Sequence, residues 1–205
     1  MPTSDTSERG LESLIVETLT RQRPRSSPDT GMPTIRERFA PYGNDAYVLG
    51  NADDYDRDHA VDVAQHQRFA STTQRQTFDA LGLAEDGTRR LQFLHRLQGE
   101  IAKRGVIDVL RKGIKHGPVD LDLFYGMPTP DNTAAIDRFL SNVFSVTRQL
   151  RYSKNETQLA LDLCLFINGL PVITFELKNN LTKQTVEDAV QQYKTDRDPK
   201  DLLFQ

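Results

Sequence analysis

Residues 159–178 read LALDLCLFINGLPVITFELK, and the register in which this stretch folds back on itself decides the fold. Residues 159–167 and 170–178 are two apolar runs of strand length on either side of Asn168-Gly169, a strong short-range hairpin signal. A strict two-residue loop would set Asp162 opposite Phe175 and throw Glu176 onto the other face. A three-residue loop, Asn168-Gly169-Leu170, or a bulge within it, sets Asp162 opposite Glu176, with Lys178 following on the same side. The second register collects Leu159, Leu161, Leu163, Leu165, Ile167, Ile173, Phe175 and Leu177 on one wholly apolar face. The first spreads the charges over both faces. Because a one-residue slip moves every side chain to the opposite side, apolar patterning selects the second. It predicts that Asp162 and Glu176 are cross-strand neighbours and that Gly169 has a positive φ.

Asp162, Glu176 and Lys178 are charges inside otherwise apolar runs. Buried charges are costly, so such residues are paired, exposed or bound to a metal. Two carboxylates on rigid strands suit Mg²⁺, a hard cation that takes oxygen ligands and keeps several waters. A phosphodiester needs an activated water and relief of negative charge, which such an ion between Asp162 and Glu176 could supply, with Lys178 steering the water or the charge. The competing reading is an interstrand Glu–Lys or Asp–Lys pair beside a solvated face.

Working outward, a helix is predicted over 6–21, where Leu11, Leu14, Ile15 and Leu19 recur at helical spacing. Residues 22–44 are a Pro/Ser/Arg-rich connection with little burial power, read as a flexible link. A second helical stretch covers 60–81 and stops at Gly82. A third covers 89–104, with Leu91, Leu94, Leu97 and Ile101 on one face and Gly105 beyond. Strands follow over 119–125 and 144–152, then the hairpin, then a helix from about Thr185 that ends before Asp198-Pro199. The expected fold class is α+β, an antiparallel or mixed β-sheet flanked by helices. The expected organisation is a mainly helical part over 1–118 and a core sheet with closing helix over 119–205, the two forming one domain.

The net charge is 26 − 29 = −3, so the chain as a whole is no polycation. Its distribution is more informative. Between 89 and 116 eight basic residues face two acidic ones, and Arg89, Arg90, Arg104, Arg111, Lys112 and Lys115 are candidates for a phosphate track. A solvated helix face is the alternative. The single Cys164 lies in a strand pattern and reads as a buried, inert thiol. Asp54, Asp56 and Asp58 open like a calcium loop, but His59 and Gln65 stand where such a loop needs Gly and Glu. The four histidines lack zinc-ligand spacing. There is no span-length apolar run and no signal-peptide pattern, so a cytoplasmic protein with no membrane partner is expected. The apolar ending LLFQ reads as a segment cut from something longer.

Leu161-Asp162 followed after a hairpin by Phe175-Glu176-Leu177-Lys178 resembles the D…ExK core of the PD-(D/E)xK nuclease superfamily. VTRQLRYS at 146–153, the stretch LDLCLFINGLPVITFELKNNLTKQTVEDAVQQYKTDRDP and the terminal LLF are together similar to the amino-terminal endonuclease domain of type I restriction-enzyme motor subunits. DDYDRDHAVD and RGVIDVLRKGIK resemble that family's helical section. The resemblance spans 11–204 and is densest after Val146. It implies a restriction-endonuclease-like core, a Mg²⁺-dependent endonuclease cutting double-stranded DNA, and partnership with methylation and specificity subunits. Asp162 and Glu176 match the metal-binding acids, Lys178 the catalytic lysine, and Glu12 a further acidic position that could equally be a solvated helix residue. The family's supporting Gln four residues before a Tyr is Ala189 here, with Tyr193 present and Gln191 and Gln192 beside it, so Gln192 and Tyr193 are supporting candidates. Leu161 stands where the superfamily has Pro. No G-x-x-x-x-G-K-[ST] phosphate loop occurs, so ATP use is assigned to motor domains of a parent subunit, outside these residues. A catalytically silent module for DNA binding or subunit docking is the alternative function.

Overall fold

A computed structural model describes residues 7–20, 47–129, 132–155, 158–178, 186–195 and 197–204. The connection expected over 22–44 lies outside the described residues, as does Thr185 at the expected start of the last helix.

The centre is a four-stranded mixed sheet. It consists of β1 (Val48–Leu49), β6 (Phe144–Arg151), β7 (Ala160–Ile167) and β8 (Leu170–Phe175), side by side in that order. β1 runs parallel to β6, and the other neighbours are antiparallel. The class is therefore α+β with a mixed sheet flanked by helices. Helix α1 (Glu8–Thr20) starts at Ser7, whose hydroxyl accepts from the Gly10 N–H at 3.0 Å. Its buried stripe differs from the apolar spacing of the sequence. Glu12 and Val16 are buried and Ile15 and Leu19 pack partly, whereas Leu11 and Leu14 stay exposed. The helix rotates because Glu12 has partners on the sheet, described below. Val16, Ile15 and Leu19 pack with Val146, Leu163, Leu165, Phe175 and Leu177.

The opposite face is covered too. Cys164, Phe166, Leu150 and Tyr152 pack with Tyr55, Ala60, Tyr193 and the 3₁₀ turn Leu202–Phe204, and Leu159 and Leu161 join them rather than Leu163 and Leu165, with which strand alternation groups them. Burial pushes the Cys164 thiol up, which keeps it protonated and unreactive. The third apolar cluster is helical. It joins α2 (Val63–Thr73), α3 (Arg75–Leu81), α4 (Thr88–Arg104) and α5 (Val106–Lys112) to the short hairpin of β4 (Ile114–His116) and β5 (Val119–Leu121). The single helical stretch expected over 60–81 is broken at Gln74. That residue's side-chain amide instead pairs both ways with the backbone of Asp122, at 2.9 Å each. A second small hairpin, β2 (Tyr55–Asp56) with β3 (Val61–Asp62), precedes α2, and α6 (Thr133–Leu140) precedes β6. The last helix is α7 (Val186–Thr195).

The β7–β8 hairpin corrects one detail of the register argument. Its turn is the tight two-residue form, with Asn168 at φ 52° and Gly169 at φ 83°, the pair of left-handed residues that Asn-Gly favours. Ile167 and Phe166 therefore pair with Leu170 and Pro171. The extra residue enters two positions later, as a bulge at Val172 rather than within Asn168-Gly169-Leu170. Beyond it Leu165, Cys164 and Leu163 pair with Ile173, Thr174 and Phe175. Pro171 has no N–H to give the ladder, so the strand loses least by bulging beside it. The register at the far end is the one that apolar patterning selects.

Candidate functional site

The last ladder pair, Leu163 with Phe175, sets Asp162 opposite Glu176 just past the end of β8. Asp162 spans the gap with its side chain. Its Oδ2 accepts the Leu177 N–H at 2.6 Å, so the carboxylate reaches the chain between Glu176 and Lys178. Lys178 Nζ lies 3.4 Å from Glu176 Oε1, with the two side chains 16% and 9% exposed. The three charged residues singled out in the sequence thus meet at the open end of one hairpin.

Three further side chains enclose them. Arg197 donates to Glu176 Oε2 at 2.6 Å and to the Tyr152 hydroxyl at 2.8 Å. Its guanidinium lies over the rings of Tyr152 and Tyr193, at 5.3 and 5.9 Å from their centroids. Burial works against the Arg197 charge, but the bonds to Tyr152 and Glu176 outweigh it and hold its pKa above the ordinary value. Both oxygens of Glu176 thus face a cation. Glu12, from α1, is buried and paired to Arg148 Nε, and it accepts from Gln149 Nε2 at 2.8 Å. Gln149 in turn reaches Asp162 Oδ1 at 3.4 Å.

Arg197 and Gln149 were not found by sequence reasoning. Arg197 stands in a polar run, DRDP, read only as the end of a helix, and a lone Gln between strand residues carries no periodic signal. Tyr193 sits one layer away. Its hydroxyl donates to Thr174 Oγ1 at 3.0 Å and its ring touches Phe204 and Arg197, so it backs the site rather than lining it. Gln192 lies in α7, and its side chain is outside the described residues.

The donor set fits a hard divalent cation. Asp162 and Glu176 offer carboxylate oxygens from adjacent positions, and Mg²⁺ is commonly held by one or two carboxylates with water completing its shell. Among the described residues no three His, Cys, Asp or Glu side chains converge as ligands, so the set does not resemble an all-protein cage.

The basic segment lies on α4, α5 and β4, where most of its charge is already engaged. Arg90 pairs with Asp86 at 2.6 Å, Arg104 with Glu100 and Asp108 at 2.8 and 2.7 Å, and Lys112 with Asp108 at 2.5 Å. Arg104 also donates to the Gly113 carbonyl, and Arg89 to that of Ala80. Arg111 and Lys115 are exposed.

A second polar group lies deeper and serves the fold. Asp62 is 1% exposed and caps α2 through the Gln65 N–H at 3.0 Å, while its other oxygen is buried and has no hydrogen-bond partner among the described residues. Burial pushes its pKa up to about 6.

A family model described as "Type I restriction enzyme R protein N terminus" covers residues 49–205. No curated protein and no solved structure matches the chain. Among the described residues no helix is long and apolar enough to cross a membrane.

Proposed function

Since the chain belongs to the family of type I restriction enzyme R protein amino-terminal domains, we propose that the open end of its β7–β8 hairpin cuts phosphodiesters of double-stranded DNA with a bound Mg²⁺. The observation that supports this most directly is the meeting of Asp162, Glu176 and Lys178 beside one strand end. Asp162 and Glu176 would hold the ion. When bound, Mg²⁺ supplies an activated water and offsets charge on the reacting phosphate. Arg197 fixes one oxygen of Glu176 from the protein side. Among the described residues the contact of Lys178 is the one to Glu176 at 3.4 Å, and its ammonium would turn to a phosphate oxygen once Glu176 is otherwise neutralised. Glu12, Tyr193 and the helix that carries Gln192 support this arrangement from behind.

Membership of the R-protein family supports a complex with methylation and specificity subunits, which would read the DNA sequence. ATP would be used by motor domains of the parent subunit. The test is Asp162→Ala, Glu176→Ala and Lys178→Ala in the assembled parent enzyme. Each should reduce cleavage roughly 100-fold or more and leave ATP hydrolysis intact. Cleavage near the wild-type rate in all three removes the assignment.

DNA would approach along the α5–β4 side, where Arg111 and Lys115 present their charges and Lys112 would exchange Asp108 for a phosphate. Replacing the three with Gln should weaken binding equally for all sequences and flatten the salt dependence by up to about three units. An unchanged slope in a salt titration would make this an ordinary solvated face.

A further inference from the structure

Gln149 lies inside β6 with φ +48°, a left-handed conformation that costs a non-glycine residue about 1–3 kcal/mol. The ladder to β7 skips this one place. Arg148 pairs with Leu163 and Leu150 with Leu161, while Gln149 and Asp162 between them do not pair. The side chain is exposed, so no burial in a core compensates. The gain lies in what the amide reaches. Successive residues of a regular strand point to opposite faces, yet Arg148 and Gln149 both bind the same carboxylate, that of Glu12. The left-handed turn brings Gln149 round to the α1 side, where Nε2 donates to Glu12 Oε2 at 2.8 Å and to Asp162 Oδ1 at 3.4 Å. One neutral donor thus stands between two acids delivered by different elements, a helix and a strand.

We propose that Gln149 is a positioning residue, whose side-chain amide, anchored on Glu12, orients Asp162 for the divalent cation that Asp162 and Glu176 would hold. This rests on the nuclease reading of the same site. A carboxamide suits the role because it donates to both acids without adding a charge, and so holds them near each other before an ion arrives. The same amide contributes nothing to the apolar clusters, so its work is confined to these two carboxylates.

The test is Mn²⁺ binding to the 205-residue chain by calorimetry, with melting temperatures in chelator and in Mn²⁺, for wild type, Gln149→Gly, Gln149→Glu and Asp162→Ala. Glycine accepts a positive φ without strain, so Gln149→Gly should melt at or above the wild-type temperature in chelator. It should nonetheless bind Mn²⁺ roughly tenfold or more weakly, as expected when a group orienting a ligand is lost. Gln149→Glu sets a third carboxylate between two others. It should melt lower than wild type in chelator and gain more from Mn²⁺ than wild type does. A purely structural kink would leave Mn²⁺ affinity untouched in Gln149→Gly. That result, with binding lost in Asp162→Ala, overturns the role of Gln149 alone. Absence of Mn²⁺ binding in wild type, or full binding in Asp162→Ala, overturns the nuclease reading and this inference together.

Discussion

The two ends of the β7–β8 hairpin are built from the same strands by opposite means. At the closed end Asn168 is fully buried, and its side chain accepts the Val143 N–H at 2.6 Å and donates to the Leu123 carbonyl and Asn142 Oδ1 at 2.8 and 2.9 Å. Gly169 lies so close to the Asp62 carbonyl and the His66 backbone that a Cβ would collide with both, and its own carbonyl accepts the Asp62 N–H at 2.9 Å. His66 Nδ1 adds a contact to the Asn168 carbonyl at 3.1 Å. Neutral hydrogen bonds and close packing satisfy every described polar contact of this turn. At the open end the contacts involve charges: the Asp162 carboxylate on an N–H beyond the ladder, and Glu176 between the cations Lys178 and Arg197. Charges that balance one another can exchange partners when an ion or phosphate arrives, whereas a turn packed this tightly cannot. The closed end serves stability, and the open end keeps groups that binding can rearrange.

The largest effect on folding should therefore come from the closed end. Asn168→Ala removes three side-chain hydrogen bonds from a fully buried position and should cost roughly 3–5 kcal/mol, read as a lowered midpoint in urea. A loss below about 1 kcal/mol would break the contrast between the ends.

Next comes Asp62, which joins the closed end to α2. Its folded pKa, about 6, lies above its ordinary value. The sign follows from the proton: the folded state holds it more tightly, so the associated stability is complete below about pH 4 and is lost as pH rises through 6. Asp62→Asn keeps the oxygen that caps α2 and has no charge to bury. The variant should be the more stable one at pH 8, by on the order of 2 kcal/mol, and its stability should change less between pH 4 and 7. Equal pH profiles for the two proteins in denaturant titrations would remove this account of the site.

The smallest effect belongs to the open end. Asp162→Asn can still accept the Leu177 N–H, so stability in chelator should stay within about 1 kcal/mol of wild type. Stabilisation by added Mn²⁺, measured as a melting shift, should disappear. A loss in chelator as large as that of Asn168→Ala would mean that the carboxylate holds the fold rather than an ion.

Residues 159–178 carried much of the site in their own pattern. The alternation of leucines selects the register that sets Asp162 opposite Glu176, and that register holds, although packing divides those leucines between two clusters. Short-range chemistry was equally legible in the left-handed Gly169 and in the helix ended by Gly105. The position of the bulge was not. Patterning shows that one extra residue must enter, and only the competition between a favourable Asn-Gly turn and a proline without an N–H places it at Val172. The face of α1 also escaped, since apolar spacing points to Leu11 and Leu14, and the helix turned instead to bury Glu12 against Arg148 and Gln149. Arg197 and Gln149 belong to the same class. Each is an ordinary polar residue in the sequence, and each acquires its role from a carboxylate delivered by another segment of the chain. Periodicity and turn chemistry act between near neighbours, so the amino-acid order determined the strands, their register and the acids they present. Which distant polar groups satisfy those acids depends on how layers pack, and the tertiary structure alone decided it.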